Sequence, residues 1–459
     1  MPTPYHHHTS SYRDPSGFIF EKEGIIYRQV NQVFKEDFDF FTSSGCCENL
    51  IKKGLLIPHE IIEENYTGQK DYYKTLRPDQ VPFISYAYEW SFDMLKDAAL
   101  LTLQLLKESL SYGLILKDAT PFNIQWYKGK LIFIDSLSFE KYDEQKPWIA
   151  YRQFCECFLS PLLLMHYTKQ PLQQLLLAYP EGIPLPITKS LLPGKTKLSL
   201  HIYLHIHLHA KISSKNNSNS SRQAHFSKQK LLNLISSLET ILHKVKAPAQ
   251  QTTWSEYYDE ASQRNNYLEE KKKLMNDWVG SLTSVKTAAD LGANDGVFSK
   301  LLAGHNIATI ATDFDPLCIN NLYKEIKDTN FSGLQPMIID LSNPSPAIGV
   351  NNTERTSFID RIQVNLATAL ALIHHLAIGK NIPFEKVADM FSKISDYLII
   401  EFVPKEDEKV QLMLQNKEDI YTAYTEENFE KSFETYYTIQ RKEKVGSSGR
   451  TLFLMKRNY

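Results

Sequence analysis

The chain has 459 residues, too many for one ordinary hydrophobic core, so two domains are the natural division. A net charge of −2 with 23% charged residues gives no general signal for DNA or RNA binding, although local basic patches remain compatible with it. The five cysteines, Cys46, Cys47, Cys155, Cys157 and Cys318, are odd in number and contain no Cys-x-x-Cys pair, the pattern of reduced intracellular thiols.

Residues 1–13 are polar and have no apolar signal core, and His6-His7-His8 reads as part of a flexible tail. No stretch of the chain reaches the about 18 apolar residues that a membrane span needs, so a soluble cytoplasmic protein is expected. Residues 17–20 and 24–28 predict a short hairpin, and residues 91–111 predict a helix. Next comes Lys117-Asp118-Ala119-Thr120-Pro121-Phe122-Asn123-Ile124, and then the apolar strand Leu131-Ile132-Phe133-Ile134-Asp135. An Asp, an Asn five positions on, and an Asp closing a strand resemble the catalytic loop and metal-binding elements of protein kinases and aminoglycoside-phosphotransferase-like enzymes. The resemblance implies that Asp118 orients an accepting hydroxyl and that Asn123 and Asp135 hold magnesium on ATP. There are departures from the pattern: Leu116-Lys117-Asp118 replaces His-Arg-Asp, Asp135-Ser136-Leu137 replaces Asp-Phe-Gly, and no Gly-x-Gly-x-x-Gly loop precedes them. No phosphate-binding lysine is identifiable, and Arg28 is the available substitute.

His201, His205, His207 and His209 have spacings that suit a metal on either a strand or a helix. No Cys or Asp-rich partner completes a ligand set, and no metal is expected. Residues 211–230 include a polar, low-complexity run that predicts a flexible linker. Residues 231–245 and about 255–279 predict helices, with Trp254, Tyr257, Tyr258 and Tyr267 as core or interface residues.

The C-terminal part alternates strands and helices. A strand over 285–291, carrying Asp290, stops at a turn containing Gly292, Asn294 and Gly296. A helix starts near Asp295, and a second strand over 307–312 ends at Asp313. Asp315 is placed to cap the helix that begins with Pro316. A third strand over 334–340 ends in Asp340, and a fourth apolar segment over 361–372 runs into His374 and His375. A fifth strand over 397–402 contains Glu401, and a hairpin over 437–455 closes the chain. The turn lacks the third glycine of the dinucleotide fingerprint. The pattern Asp-x-Gly-x-Asn-x-Gly instead resembles the first motif of class I S-adenosylmethionine-dependent methyltransferases. Asn343-Pro344-Ser345-Pro346 follows the third strand rather than the fourth, so it does not match the Asn-Pro-Pro-Tyr signature of amino-group methyltransferases.

The resemblance implies an α/β fold: a C-terminal Rossmann-like seven-stranded methyltransferase sheet preceded by an α+β, kinase-like N-terminal domain. The expected divisions are 1–210 for a kinase-like, substrate-selecting domain, 211–250 for a linker and connector helix, and 251–459 for the methyltransferase domain. The segments 85–92, 116–125, 133–140, 147–154 and 371–379 occur in an order that resembles bacterial NoeA-type nodulation methyltransferases over nearly the whole chain. S-adenosylmethionine is then the implied cofactor, held by Asp290, Gly292, Asn294, Gly296, Asp313 and Asp340, with Asp313 on the ribose and Asp340 towards the adenine. His374, His375 and Glu401 are the candidate catalytic residues, and Glu354-Arg355 reads as a surface ion pair. The methyl acceptor is left open among a glycan precursor, a small metabolite and a protein. Two alternatives stand beside this reading: a bifunctional protein that also binds ATP, and a degenerate scaffold.

Overall fold

The computed structural model describes residues 5–213, 226–248, 266–415 and 417–458. Its contacts divide the chain into two compact units, residues 1–249 with 347–355, and residues 250–346 with 356–459. Most of the expected linker lies outside the described residues, as do Trp254, Tyr257 and Tyr258. Among the described residues, no helix is long and apolar enough to cross a membrane.

In the first unit, β1 (His6–His7), β2 (Gly17–Lys22), β3 (Ile25–Asn31), β4 (His59–Ile62) and β5 (Tyr72–Pro78) form a sheet in the order β1-β2-β3-β5-β4. All of its pairs are antiparallel. The expected hairpin is therefore the middle of a larger sheet. Phe18, Phe20 and Tyr27 pack together on it, as period-two side chains on a half-buried sheet should. The histidine triplet is no loose tail: His6 and His7 pair with Glu21 and Phe20, and the His7 ring stacks on Phe18 with centroids 4.4 Å apart. Ser91 caps the long helix Phe92–Leu110, accepting from the Met94 N–H, and the apolar face of this helix is buried. Helix Lys228–Lys244, expected as a connector, packs against it within the same unit, with an ion pair of 2.8 Å between Lys107 and Glu239. The hairpin of β7 (Ile124–Tyr127) with β8 (Lys130–Phe133), and the pairing of β6 (Leu114–Leu116) with β9 (Phe139–Lys141), complete the strands of this unit.

The second unit is built on a seven-stranded sheet. Strands β10 (Thr287–Leu291), β11 (Ala308–Asp313), β12 (Leu334–Ile338), β13 (Val364–Ala369) and β14 (Ser395–Phe402) run parallel. At the far edge, β15 (Tyr437–Lys444) and β16 (Thr451–Arg457) form an antiparallel hairpin, with β16 also antiparallel to β14. The order is β12-β11-β10-β13-β14-β16-β15. Ala288 through Leu291 are all buried, as in a strand covered on both faces, with Asp290 the one polar residue among them. The chain leaves β10 on one side, towards β11 and β12, and returns on the other side as β13. That reversal opens a crevice at the carboxyl ends of β10 and β13, where open α/β sheets bind their ligands.

Candidate functional site

A cavity of about 240 Å³ occupies this crevice. The loop after β10 forms one wall. Gly292, Asn294 and Gly296 all adopt left-handed backbone angles, with φ of +83°, +50° and +73°. Their turn is closed by two hydrogen bonds of 2.8 Å, from the Gly292 and Ala293 N–H groups to the Thr312 carbonyl. The positive φ favours glycine at both glycine positions, and packing adds to it: a Cβ on Gly292 would lie 3.3 Å from Leu372 Cδ1, and one on Gly296 would be driven to 2.7 Å from Leu322 Cδ1.

Asp313 faces the loop from the end of β11. Its Oδ2 accepts from the Asn294 N–H and its Oδ1 from the Asp315 N–H, each at 2.9 Å. Burial pushes its carboxyl up to about 6 despite these donors. Two backbone donors use half of a carboxylate's acceptor capacity, which leaves one lone pair on each oxygen. Asp315 caps helix Pro316–Thr329, its Oδ1 accepting from the Leu317 N–H at 2.8 Å.

Of the nine residues expected at this site, Gly292, Asn294, Asp313, Asp340 and His375 line the cavity. Asp340 Oδ1 accepts from the Ser342 N–H and hydroxyl, and Lys380 stands 4.0 Å from its other oxygen. The remaining four lie behind the walls. Asp290 is buried beneath the loop, where it accepts from Ser299 Oγ at 2.5 Å and Thr368 Oγ1 at 2.7 Å, tying β10 to the following helix and to β13. Burial raises its pKa. Gly296 is a packing position. His374 is 2% exposed and its Nδ1 has no partner. Glu401 is fully buried with both oxygens engaged: Oε2 accepts from Lys271 Nζ at 2.8 Å and from the Ala371 N–H at 2.7 Å, and Oε1 accepts from the Tyr267 hydroxyl. An exposed base at the end of β14 is not what the fold provides there, because helix Tyr267–Ser281 covers that position.

In the first unit, Asp118, Asn123 and Asp135 are joined by other groups. Arg28 Nη1 meets Asp135 Oδ1 at 2.5 Å, the Leu137 N–H donates to the same oxygen at 3.0 Å, and Ser138 Oγ donates to Oδ2 at 2.7 Å. Asn123 Nδ2 reaches the same Ser138 hydroxyl at 3.4 Å. Burial and the nearby Asp135 raise the Asp118 carboxyl to about 6. The expected Glu354–Arg355 ion pair does not form: Glu354 accepts from Arg13 Nε at 3.0 Å and Nη2 at 2.9 Å, while the Arg355 guanidinium stacks 4.1 Å over Phe122. The histidines at 201–209 lie on a helix; His209 stacks on the Tyr151 ring with centroids 4.8 Å apart, and the other three are engaged by hydroxyls. Ser237 bridges His201 and His205, and Thr196 meets His207.

No family model matches the chain. Nodulation protein NoeA of Rhizobium meliloti (strain 1021) is 31% identical over 461 residues, covering 98% of this chain and 95% of the relative. The chain belongs to the NoeA family. Among solved structures, WbdD aligns over 48% of this chain and 46% of its own length at 15% identity, with a TM-score of 0.32. The N-methyltransferase NodS of Bradyrhizobium japonicum WM9 aligns over 43% of this chain and 99% of its own at 14% identity, with a TM-score of 0.31.

Several residues that build the cavity of this NoeA-family chain escaped the sequence reading. Lys271 lines it although it lies on the helix before β10. Phe314, Ile339, Leu341 and Leu372 form its apolar walls. The strand-end positions of Phe314 and Leu341 were legible, but apolar residues at strand ends carry no chemical signature of their own. Lys271 had a faint signal, as a lysine one helical turn after Tyr267 in an otherwise exposed basic stretch.

Proposed function

We propose that this protein is an S-adenosylmethionine-dependent methyltransferase. The observation that carries the proposal is Asp313: a buried carboxylate at a strand end, facing a glycine turn, with acceptor capacity left for two vicinal ribose hydroxyls. The surroundings fit the rest of such a molecule. Phe314, Ile339 and Leu341 offer apolar surface to a flat base, Asp340 offers a carboxylate to an amino group, and Gly292 lets a ligand approach the backbone. When bound, the cofactor supplies a methyl group on a positively charged sulfur, and this chain's residues supply position and exclusion of water. Burial, followed by the charges of Arg450 and Lys409, lowers His375 to about 4, so its imidazole is neutral at pH 7. A neutral ring on the cavity wall suits hydrogen bonding to a hydroxyl or amine acceptor, and we assign it that role. The acceptor class is a glycan precursor, a small metabolite or a protein.

The test is calorimetric titration of S-adenosylmethionine and S-adenosylhomocysteine into the wild type and Asp313→Ala. Binding that disappears in the variant supports the proposal. A folded wild type that binds neither ligand removes it and favours the scaffold reading.

A second reading, ATP binding in the first unit, is favoured by the assembly of Asp118, Asn123 and Asp135 with Arg28 in place of the missing lysine. Magnesium does not fit the cluster as arranged, because the Asp135 oxygens are engaged by Arg28, Leu137 and Ser138. No metal-dependent step is assigned there.

A further inference from the structure

Ala371 is a non-glycine residue in the left-handed region, with φ of +50°, and it lines the cavity. Such a conformation persists only where the surroundings over-determine it, and it clusters at functional sites. Here it has a consequence for the whole wall. Strand β13 ends at Ala369, and Ala371 is where the chain turns out of the sheet. The next residue, Leu372, packs against Gly292, and its carbonyl accepts from the His375 N–H at 2.9 Å to start the helical turn that carries His375. The angle at Ala371 therefore aims both Leu372 and His375.

We propose that Glu401 is a positioning residue of the cofactor site, holding Ala371 in this conformation so that Leu372 and His375 form the cavity wall. The proposal rests on the cofactor reading above. The Ala371 N–H donates to Glu401 Oε2 at 2.7 Å. That carboxylate is itself fixed by two further donors, with Arg450 behind them. Lys271 Nζ meets the same oxygen at 2.8 Å, and the Tyr267 hydroxyl donates to Oε1. Arg450 reaches the Tyr267 oxygen at 2.8 Å while gripping Asp407 with Nε at 2.8 Å and Nη2 at 3.1 Å. Glu401, Lys271 and Arg450 are 0%, 3% and 3% exposed, so none of them swings in solvent. Because Lys271 also lines the cavity, one buried carboxylate ties the covering helix to the turn after β13. Burial alone would raise the Glu401 carboxyl, but Lys271 and Arg450 together hold it below the usual range. A carboxylate held in this way is a poor proton acceptor and a good anchor.

The test is calorimetric titration of S-adenosylhomocysteine into the full chain carrying Glu401→Gln, Glu401→Ala, or Glu401→Ala with Ala371→Gly. Glutamine keeps an oxygen for the Ala371 N–H, so Glu401→Gln is expected to stay within about threefold of wild-type affinity, whereas Glu401→Ala loses about tenfold or more. Adding Ala371→Gly restores most of that loss, because glycine takes a positive φ without strain. A role in overall stability alone would not be relieved by that glycine. Wild-type affinity in Glu401→Ala, or no recovery in the double variant, overturns the proposal. If Glu401→Ala fails to fold by circular dichroism, Glu401→Leu with and without Ala371→Gly decides: weakened binding that the glycine restores supports the proposal, and unchanged binding overturns it. A wild type that does not bind at all removes the cofactor reading, whereas binding that is indifferent to these variants removes only the role of Glu401.

Discussion

Asn294 donates its backbone N–H to Asp313 Oδ2 at 2.9 Å, which makes the tip of the glycine loop and the end of the neighbouring strand one hydrogen-bonded unit. The residue proposed to read the ribose also shapes the loop that would pack against the rest of the cofactor. Removing it should therefore damage two contacts at once.

Affinity should depend on pH through the same carboxyl. Its pKa is raised to about 6 by burial, and ribose hydroxyls donate to the ionised form. Above pH 7 the site is ready, and below 6 protonation competes with the ligand, weakening binding by about tenfold at pH 5. Titrations at pH 5.5 in buffers of different ionisation enthalpy should register proton release on binding. An affinity that is flat from pH 5 to 8 would count against Asp313 as the ribose acceptor.

Gly296→Ala should destabilise the second unit by about 1–3 kcal/mol, through a strained positive φ and a Cβ driven against Leu322. Gly304→Ala is the control, since a Cβ there meets nothing within 4 Å. Chemical denaturation of both variants measures the difference, and equal stabilities would refute the packing argument.

His374 predicts an acid-labile fold. Burial first, and then His375, Arg450 and Lys271, hold its pKa well below 6.5. The unfolded chain takes up the proton near 6.5 and the folded chain does not, so stability is full above that pH and falls as the pH drops towards the folded value. The slope approaches about 1.4 kcal/mol per pH unit for this one group. Between pH 7.5 and 5 the stability of the wild type should fall more steeply than that of His374→Leu, read from melting curves of both, and parallel pH dependences would show that His374 is not the group responsible.

In the first unit, Asp135→Ala strands the Arg28 guanidinium, whose Nε already lacks a partner. Breaking a largely buried pair in this way should cost about 3–5 kcal/mol, and Arg28→Met in the same chain should return much of it. Thermal shifts with ATP, with and without magnesium, then separate a nucleotide site from a structural ion pair. A shift with ATP that does not require magnesium and is lost in Arg28→Gln supports the second reading, and no shift in the wild type ends it.

The parts of this protein legible from sequence were those whose signals are local. The glycine turn, the acid closing the next strand, the helix cap at Asp315 and the terminal hairpin each depend on residues a few positions apart, so backbone geometry and hydrophobic period reveal them directly. The first unit was harder to read, because β1 to β5 are short and paired out of order, and nothing local announces which strand lies beside which. Tertiary structure alone decided that Glu401 is an anchor, that Asp290 braces the loop from beneath, and that Arg28 holds Asp135. Lys271 and Glu401 are 130 positions apart, and Tyr267 and Arg450 are 183 apart. A buried charge takes its role from whichever partners folding brings within about 3 Å, and that proximity is a property of the packed sheet and helices, with no trace in residue spacing.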